Sequence, residues 1–114
     1  MNPRAVVAGG AGFIGHHFVN LLKSEGYDIV IVDNLATGTR RNVSDLVVLD
    51  HCEFVHADVS HGIEIAGPVD YVVNLACPAS PVDFERIPIE IMNVCSQGSQ
   101  ALLELALHKG ARYV

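Results

Sequence analysis

The chain has 114 residues, half of them hydrophobic and 18% charged, which suits one globular unit with its own buried core. Its formal charge of -6 leaves no basic stripe to follow a phosphate backbone or an acidic bilayer, so neither nucleic acid nor a membrane is expected as a partner. No apolar run reaches the roughly 18 residues needed to cross a bilayer, and no signal-peptide core opens the chain, so a cytoplasmic protein is expected.

Residues 4–8, Arg-Ala-Val-Val-Ala, read as a buried strand. Residues 13–25 read as a helix with Ile14, Phe18, Leu21 and Leu22 on one face, ended by Gly26. A β-branched strand follows at 28–32, a polar connection with room for a short helix at 40–49, a short strand at 53–55 and another at 70–75. Ser80-Pro81-Val82-Asp83 resembles a helix start with a capping side chain, which gives Asp83 a structural rather than catalytic part. A long helix is predicted over 88–109, turning Ile91, Val94, Cys95, Gly98, Leu102 and Leu105 toward a sheet and leaving through Lys109-Gly110. Arg112-Tyr113-Val114 opens a fifth strand. Strands alternating with helices specify an α/β fold: a Rossmann-type parallel sheet flanked by helices, truncated at the start of strand five. Residues 1–114 are therefore expected to form a half-domain at the N-terminal end of a longer protein.

Cys52, Cys77 and Cys95 make an odd count without C-x-x-C spacing, which predicts reduced thiols acting as small buried apolar side chains. The six histidines lack metal-ligand spacing: His16 and His17 are adjacent, and His51, His56 and His61 fall in a polar connection without carboxylates around them, so no metal site is expected.

The glycine run Gly9-Gly10-Ala11-Gly12-Phe13-Ile14-Gly15 carries the chemistry. Glycine-rich turns are common, but these follow a strand and open an amphipathic helix, the arrangement that aims backbone N–H groups and the positive helix end at a diphosphate. Gly9 then permits the tight turn, Gly12 lets phosphates approach the backbone, and Gly15 lets the helix pack closely. Asp33 closes the second strand, where a carboxylate would accept from the two hydroxyls of an adenosine ribose and repel a 2′-phosphate, so NAD is expected over NADP. The plainer reading makes Asp33-Asn34 a turn after a strand. Arg40 and Arg41 are read as solvated rather than phosphate-binding. Asp58 and Val59 follow the third strand, where they would meet the adenine; a plain loop aspartate is the alternative.

These motifs, with Thr37-Gly38 and Asn74-Leu75-Ala76, resemble the extended short-chain dehydrogenases/reductases, the nucleotide-sugar epimerases and dehydratases, over essentially the whole chain. Within that family the stretch from Leu75-Ala76-Cys77 to Ser80-Pro81, with Glu104-Leu105-Ala106 and Gly110-Ala111-Arg112, looks most like UDP-glucuronate decarboxylases. The resemblance implies Gly12, Phe13 and Ile14 along the pyrophosphate, and Asp33, Asn34, Ala36, Thr37 and Gly38 on the adenosine side. It implies Asp58 and Val59 at the adenine, and Leu75, Ala76 and Cys77 at the nicotinamide side. It further implies a UDP-sugar substrate oxidised at C4, decarboxylated and re-reduced, with NAD regenerated.

The family's Tyr-x-x-x-Lys base is not matched here: Tyr27 is followed four residues later by Ile31, Tyr71 by Leu75, and Tyr113 has one residue after it. Asn93-Val94-Cys95 stands where the decarboxylases carry Lys-Thr-Asn, so no catalytic residue is carried over. Three readings follow: an NAD-binding piece of a decarboxylase-like enzyme, inactive alone; a piece of another epimerase or 4,6-dehydratase; or a noncatalytic dinucleotide-binding or interaction module. An exposed sheet edge and helix face favour a homo-oligomer in each case.

Overall fold

Strands β1 (Arg4–Ala8) and β2 (Asp28–Asp33) are near-continuous runs of Val, Ile and Ala, the composition of strands covered on both faces. In the computed structural model, which describes residues 2–114, they pair in parallel with Val6 opposite Val30. Strand β3 (Cys52–His56) lies outside β2, β4 (Tyr71–Asn74) on the other side of β1, and β5 (Arg112–Tyr113) outside β4. The order β3-β2-β1-β4-β5, parallel throughout, is the doubly wound α/β arrangement that alternating strands and helices predict.

Strand alternation divides the core. Val6, Ala8, Val30, Val32 and Val72 face one side, where Leu102, Leu105 and Ala106 of helix α5 (Ser99–Lys109) cover them. Ala5, Val7, Ile29, Ile31 and Val73 face the other, against Val19 of α1 (Phe13–Ser24) and Leu46 of the one-turn α2 (Ser44–Val47). The chain changes faces between β1 and β4, so the loops at the carboxyl ends of these two strands part and leave a crevice.

Three local expectations are corrected. The inner face of α1 is Gly15, Phe18, Val19 and Leu22; Ile14 and Leu21 stand 70% and 55% exposed. Gly15 is buried against the backbone of the preceding loop and has no side chain, so counting apolar residues misplaces the stripe by part of a turn. The helix predicted over 88–109 is continuous but not uniform: α4 (Pro88–Asn93) passes through a wider π turn, Val94–Gly98, into α5. A π turn changes the angular register of the side chains beyond it. Cys95, expected against the sheet, lies in that turn, bonded to Cys77. Only Cys52 is the buried free thiol predicted for all three cysteines.

Before α4, the short α3 (Pro81–Arg86) begins at Ser80 without a side-chain cap; the Ser80 carbonyl accepts from the Asp83 and Phe84 N–H groups. Asp83 supplies no cap; its carboxylate pairs with Arg86 at 3.2 Å, and the residue borders the cleft described below. At the far end of α5, Gly110 adopts the left-handed cap (φ 65) expected of it, and the chain turns into β5.

Candidate functional site: a cleft at the carboxyl edge of the sheet

A cleft of about 340 Å³ opens over the carboxyl ends of β1, β2 and β4. Its floor is the glycine loop. Gly9 (φ 80) turns the chain out of β1, its N–H donating to the Val32 carbonyl at 2.8 Å, and the Gly12 N–H returns to the Gly9 carbonyl at 3.1 Å. A Cβ on Gly15 would run into that same carbonyl, so glycine is required for α1 to start so close to the loop. Gly12 provides no side-chain cap and the first turn of α1 holds no acidic residue. The opening N–H groups of the helix lack intrahelical partners and border the cleft, with the positive end of the helix dipole behind them.

Asp33 forms the next wall. Among the described residues it is the buried charged side chain, 8% exposed, and its carboxylate locks two loops. Oδ2 accepts from the Ala11 N–H at 3.0 Å, and Oδ1 accepts from the Leu35 N–H at 2.8 Å. Each oxygen retains a second lone pair, so the carboxylate can still accept from a ligand hydroxyl. The Leu35 bond holds a non-glycine residue in the left-handed region (φ 62), turning the chain so that Asn34, Ala36 and Thr37 border the cleft. Gly38 falls behind this wall: a Cβ there would meet the Ala11 carbonyl carbon at 2.9 Å, so it backs the glycine loop rather than lining the cleft.

Past β3, Ala57, Asp58 and Val59 border the same space. The Asp58 carboxylate accepts from the Ser60 N–H at 2.9 Å and the Ser60 hydroxyl at 2.6 Å. Burial acts to raise the carboxyl, but those two bonds and nearby His61 outweigh it and hold it below its ordinary range. Beyond β4, Leu75, Ala76 and Cys77 form the opposite wall. Asn74 anchors them: its Oδ1 accepts from the Ala76 N–H at 3.2 Å, while its Nδ2 donates to Ser99 Oγ and Tyr113 Oη at 3.1 and 2.9 Å. Phe13 and Ile14 stand exposed at the mouth.

Fourteen of the fifteen cofactor residues read from the sequence thus surround one cleft. Sequence reasoning missed the far wall, made by Pro78 to Ser80, by Asp83, and by Ile87, Glu90, Ile91 and Val94 of the helical segment. It also missed Arg86, whose guanidinium reaches across to the Ala36 carbonyl at 3.5 Å. Proximity across the cleft, not local pattern, places these residues, and nothing in their spacing signals it. The expected solvation of the arginines holds in part: Arg40 and Arg41 are exposed, and the Arg40 guanidinium stacks over Phe54 at 4.6 Å. No group of metal-ligating side chains occurs among the described residues.

A family model for the NAD dependent epimerase/dehydratase family matches residues 5–114. UDP-glucuronic acid decarboxylase 1 from Arabidopsis thaliana is 37% identical over 111 residues, covering 97% of this chain and 25% of the plant protein. The chain spans about a quarter of the length of such curated relatives. A Thermus thermophilus UDP-glucose 4-epimerase in complex with NAD superposes with a TM-score of 0.72 at 29% identity, over 94% of this chain and 34% of the epimerase. A dTDP-glucose 4,6-dehydratase from Streptomyces venezuelae with NAD bound gives 0.78 at 30%, over 95% and 37% of the two chains. The glycine loop, the acid after β2 and the parallel sheet agree with these similarities over nearly every residue, and the chain belongs to the NAD-dependent epimerase/dehydratase family.

Proposed function

We propose that residues 1–114 supply the dinucleotide-binding half of a cytoplasmic, homo-oligomeric enzyme that modifies UDP-sugars, and that the cleft holds NAD. The carrying observation is the convergence of an uncapped helix N-terminus and a buried carboxylate, Asp33, on one cleft at the β1/β4 crevice. The residues fit the group. Gly12, Phe13 and Ile14 would take the pyrophosphate. Asp33, Asn34, Ala36 and Thr37 would take the adenosine ribose, with Gly38 supporting the loop beneath. Asp58 and Val59 would meet the adenine, and Leu75 to Cys77 the nicotinamide side. When bound, NAD supplies a reversible hydride acceptor for the sugar's C4.

The residues of this chain bind and orient; none forms a Tyr-x-x-x-Lys base, so binding is separable from catalysis and the chain is inactive alone. Decarboxylation of a UDP-glucuronate is the favoured reaction, supported by 35–38% identity to UDP-glucuronic acid decarboxylases. A 4-epimerase or 4,6-dehydratase is the second reading, supported by the likeness to solved structures of a UDP-glucose 4-epimerase and a dTDP-glucose 4,6-dehydratase.

Calorimetric titration with NAD⁺ and NADP⁺ tests the cofactor reading. The Asp33 carboxylate should favour NAD⁺ by about tenfold or more, since a 2′-phosphate would meet a buried negative charge. Failure of both to bind below about millimolar, or preference for NADP⁺, removes the reading.

A further inference from the structure

The disulfide joins two walls of the cleft that lie 18 residues apart in sequence. Cys77 ends the Leu75–Cys77 stretch bordering the cleft; Cys95 follows Val94, which borders it from the helical side. Residues 75 and 76 are held from the sheet side, by the Ala8 carbonyl at 2.8 Å and by Asn74 Oδ1 at 3.2 Å. Beyond them the support changes. Ser80 is bonded to α3, but among the described residues no hydrogen bond joins residues 77–79 to α4 or the π turn, so the disulfide is what fastens those three residues there. Its two residues are unequally placed, Cys77 being exposed and Cys95 half-buried. The two Cα atoms are 5.5 Å apart, within the span a disulfide bridges.

We propose that Cys77–Cys95 is a thiol–disulfide exchange site that sets the rigidity of the cleft wall, with a dithiol as its reductant. A thiolate of the dithiol attacks Sγ of Cys77, the more exposed of the two residues, the S–S electron pair leaves with Cys95, and a mixed disulfide forms on Cys77. The second thiol of the reagent then displaces Cys77. Two electrons have passed to the protein, the dithiol has become a disulfide, and its two protons neutralise the released Cys77 and Cys95 thiolates. A disulfide reagent drives the reverse. Cys52 takes no part: it is buried on the α1 side of the sheet, where burial, opposed by Lys23 and aided by Glu53, pushes its thiol up and keeps it protonated.

The consequence for ligand binding rests on the cofactor reading above. With the bond open, residues 77–79 lose their tether to the π turn, while Ser80 stays bonded to α3, and ordering that wall around a dinucleotide costs more. On the cytoplasmic reading, reversibility also fits, because disulfides in reducing compartments are characteristically transient or redox-sensing.

The full chain, air-oxidised or dithiothreitol-treated, tests this by three measurements. Alkylation in denaturant should label one cysteine of the oxidised protein, Cys52, and three after reduction. Without nucleotide, amide hydrogen exchange across residues 75–98 should quicken by about threefold or more on reduction. The NAD⁺ dissociation constant should rise by about threefold or more, and a C77S/C95S variant should match the reduced protein with or without dithiol. Three labelled cysteines in the oxidised protein overturn the proposal, as do equal exchange rates in the two states or equal affinities where NAD⁺ binds. Failure of NAD⁺ to bind either form strikes the cofactor reading alone, because the exchange comparison contains no nucleotide.

Discussion

Ser60 and Asp58 illustrate how a loop carboxylate is tuned by its immediate neighbours. The Ser60 hydroxyl and N–H both donate to the same oxygen, and against the opposing effect of burial they favour the ionised form. The folded-state pKa is therefore depressed below the unfolded value. The stabilisation from this group is present above that unfolded value, about 3.9, and disappears as pH falls through the folded one. Denaturant unfolding of the wild type should show that acid-side loss. Ser60→Ala should carry the Asp58 carboxyl back toward its ordinary range in a carbon-detected NMR titration and flatten this group's share of the acid loss. An unchanged titration in the variant would assign the shift elsewhere. Asp33 is built differently: its donors are backbone N–H groups of the two loops it joins, so its position depends on both loops being folded.

At the scale of elements, α5 presents Leu102, wholly buried, between the sheet residues of its face. Leu102→Ala should cost about 2–5 kcal/mol in urea unfolding, through lost burial and an incompletely relaxed cavity. The π turn ahead of α5 explains why this helix is only partly readable as one pattern. Gly98, at the end of that turn, has its Cβ position facing a Val59 methyl at 2.9 Å, so the widened turn seats the helix backbone against the β3–β4 connection. Larger side chains at Gly98 would push those two segments apart, and with them Val59 at the cleft.

For the whole molecule, the sheet has two edges, at β3 and β5, and the helical segment exposes Ile89, Met92, Leu103 and Leu107, the last at 85%. Leu103 and Leu107 lie one turn apart on α5 and share a face. The proposed homo-oligomer would cover that face. Sedimentation equilibrium should find a species larger than one chain, and Leu107→Glu should shift it toward the monomer while leaving NAD⁺ affinity within about twofold. A wild-type monomer at tens of micromolar would remove the assembly reading. No helix among the described residues is long and apolar enough to cross a membrane.

The sequence by itself determined what depends on neighbours in the chain. Alternating apolar strands and helices specified the parallel sheet. Glycines between β1 and α1 specified the open helix end, and the position of Asp33 at the end of β2 identified the acid facing it. These were legible because backbone conformation and strand-to-helix order follow from local residue types and short spacings. Tertiary structure alone decided which residues face each other across the cleft. It moved the inner stripe of α1 onto Gly15, set Gly38 behind the wall, carried Arg86 to Ala36, and brought Cys77 to Cys95. An odd cysteine count without C-x-x-C spacing could not disclose that last contact. It exists because the loop after β4 folds back on a helix whose π turn swings Cys95 off the sheet-facing stripe, a juxtaposition created by packing and not by any periodicity in the chain.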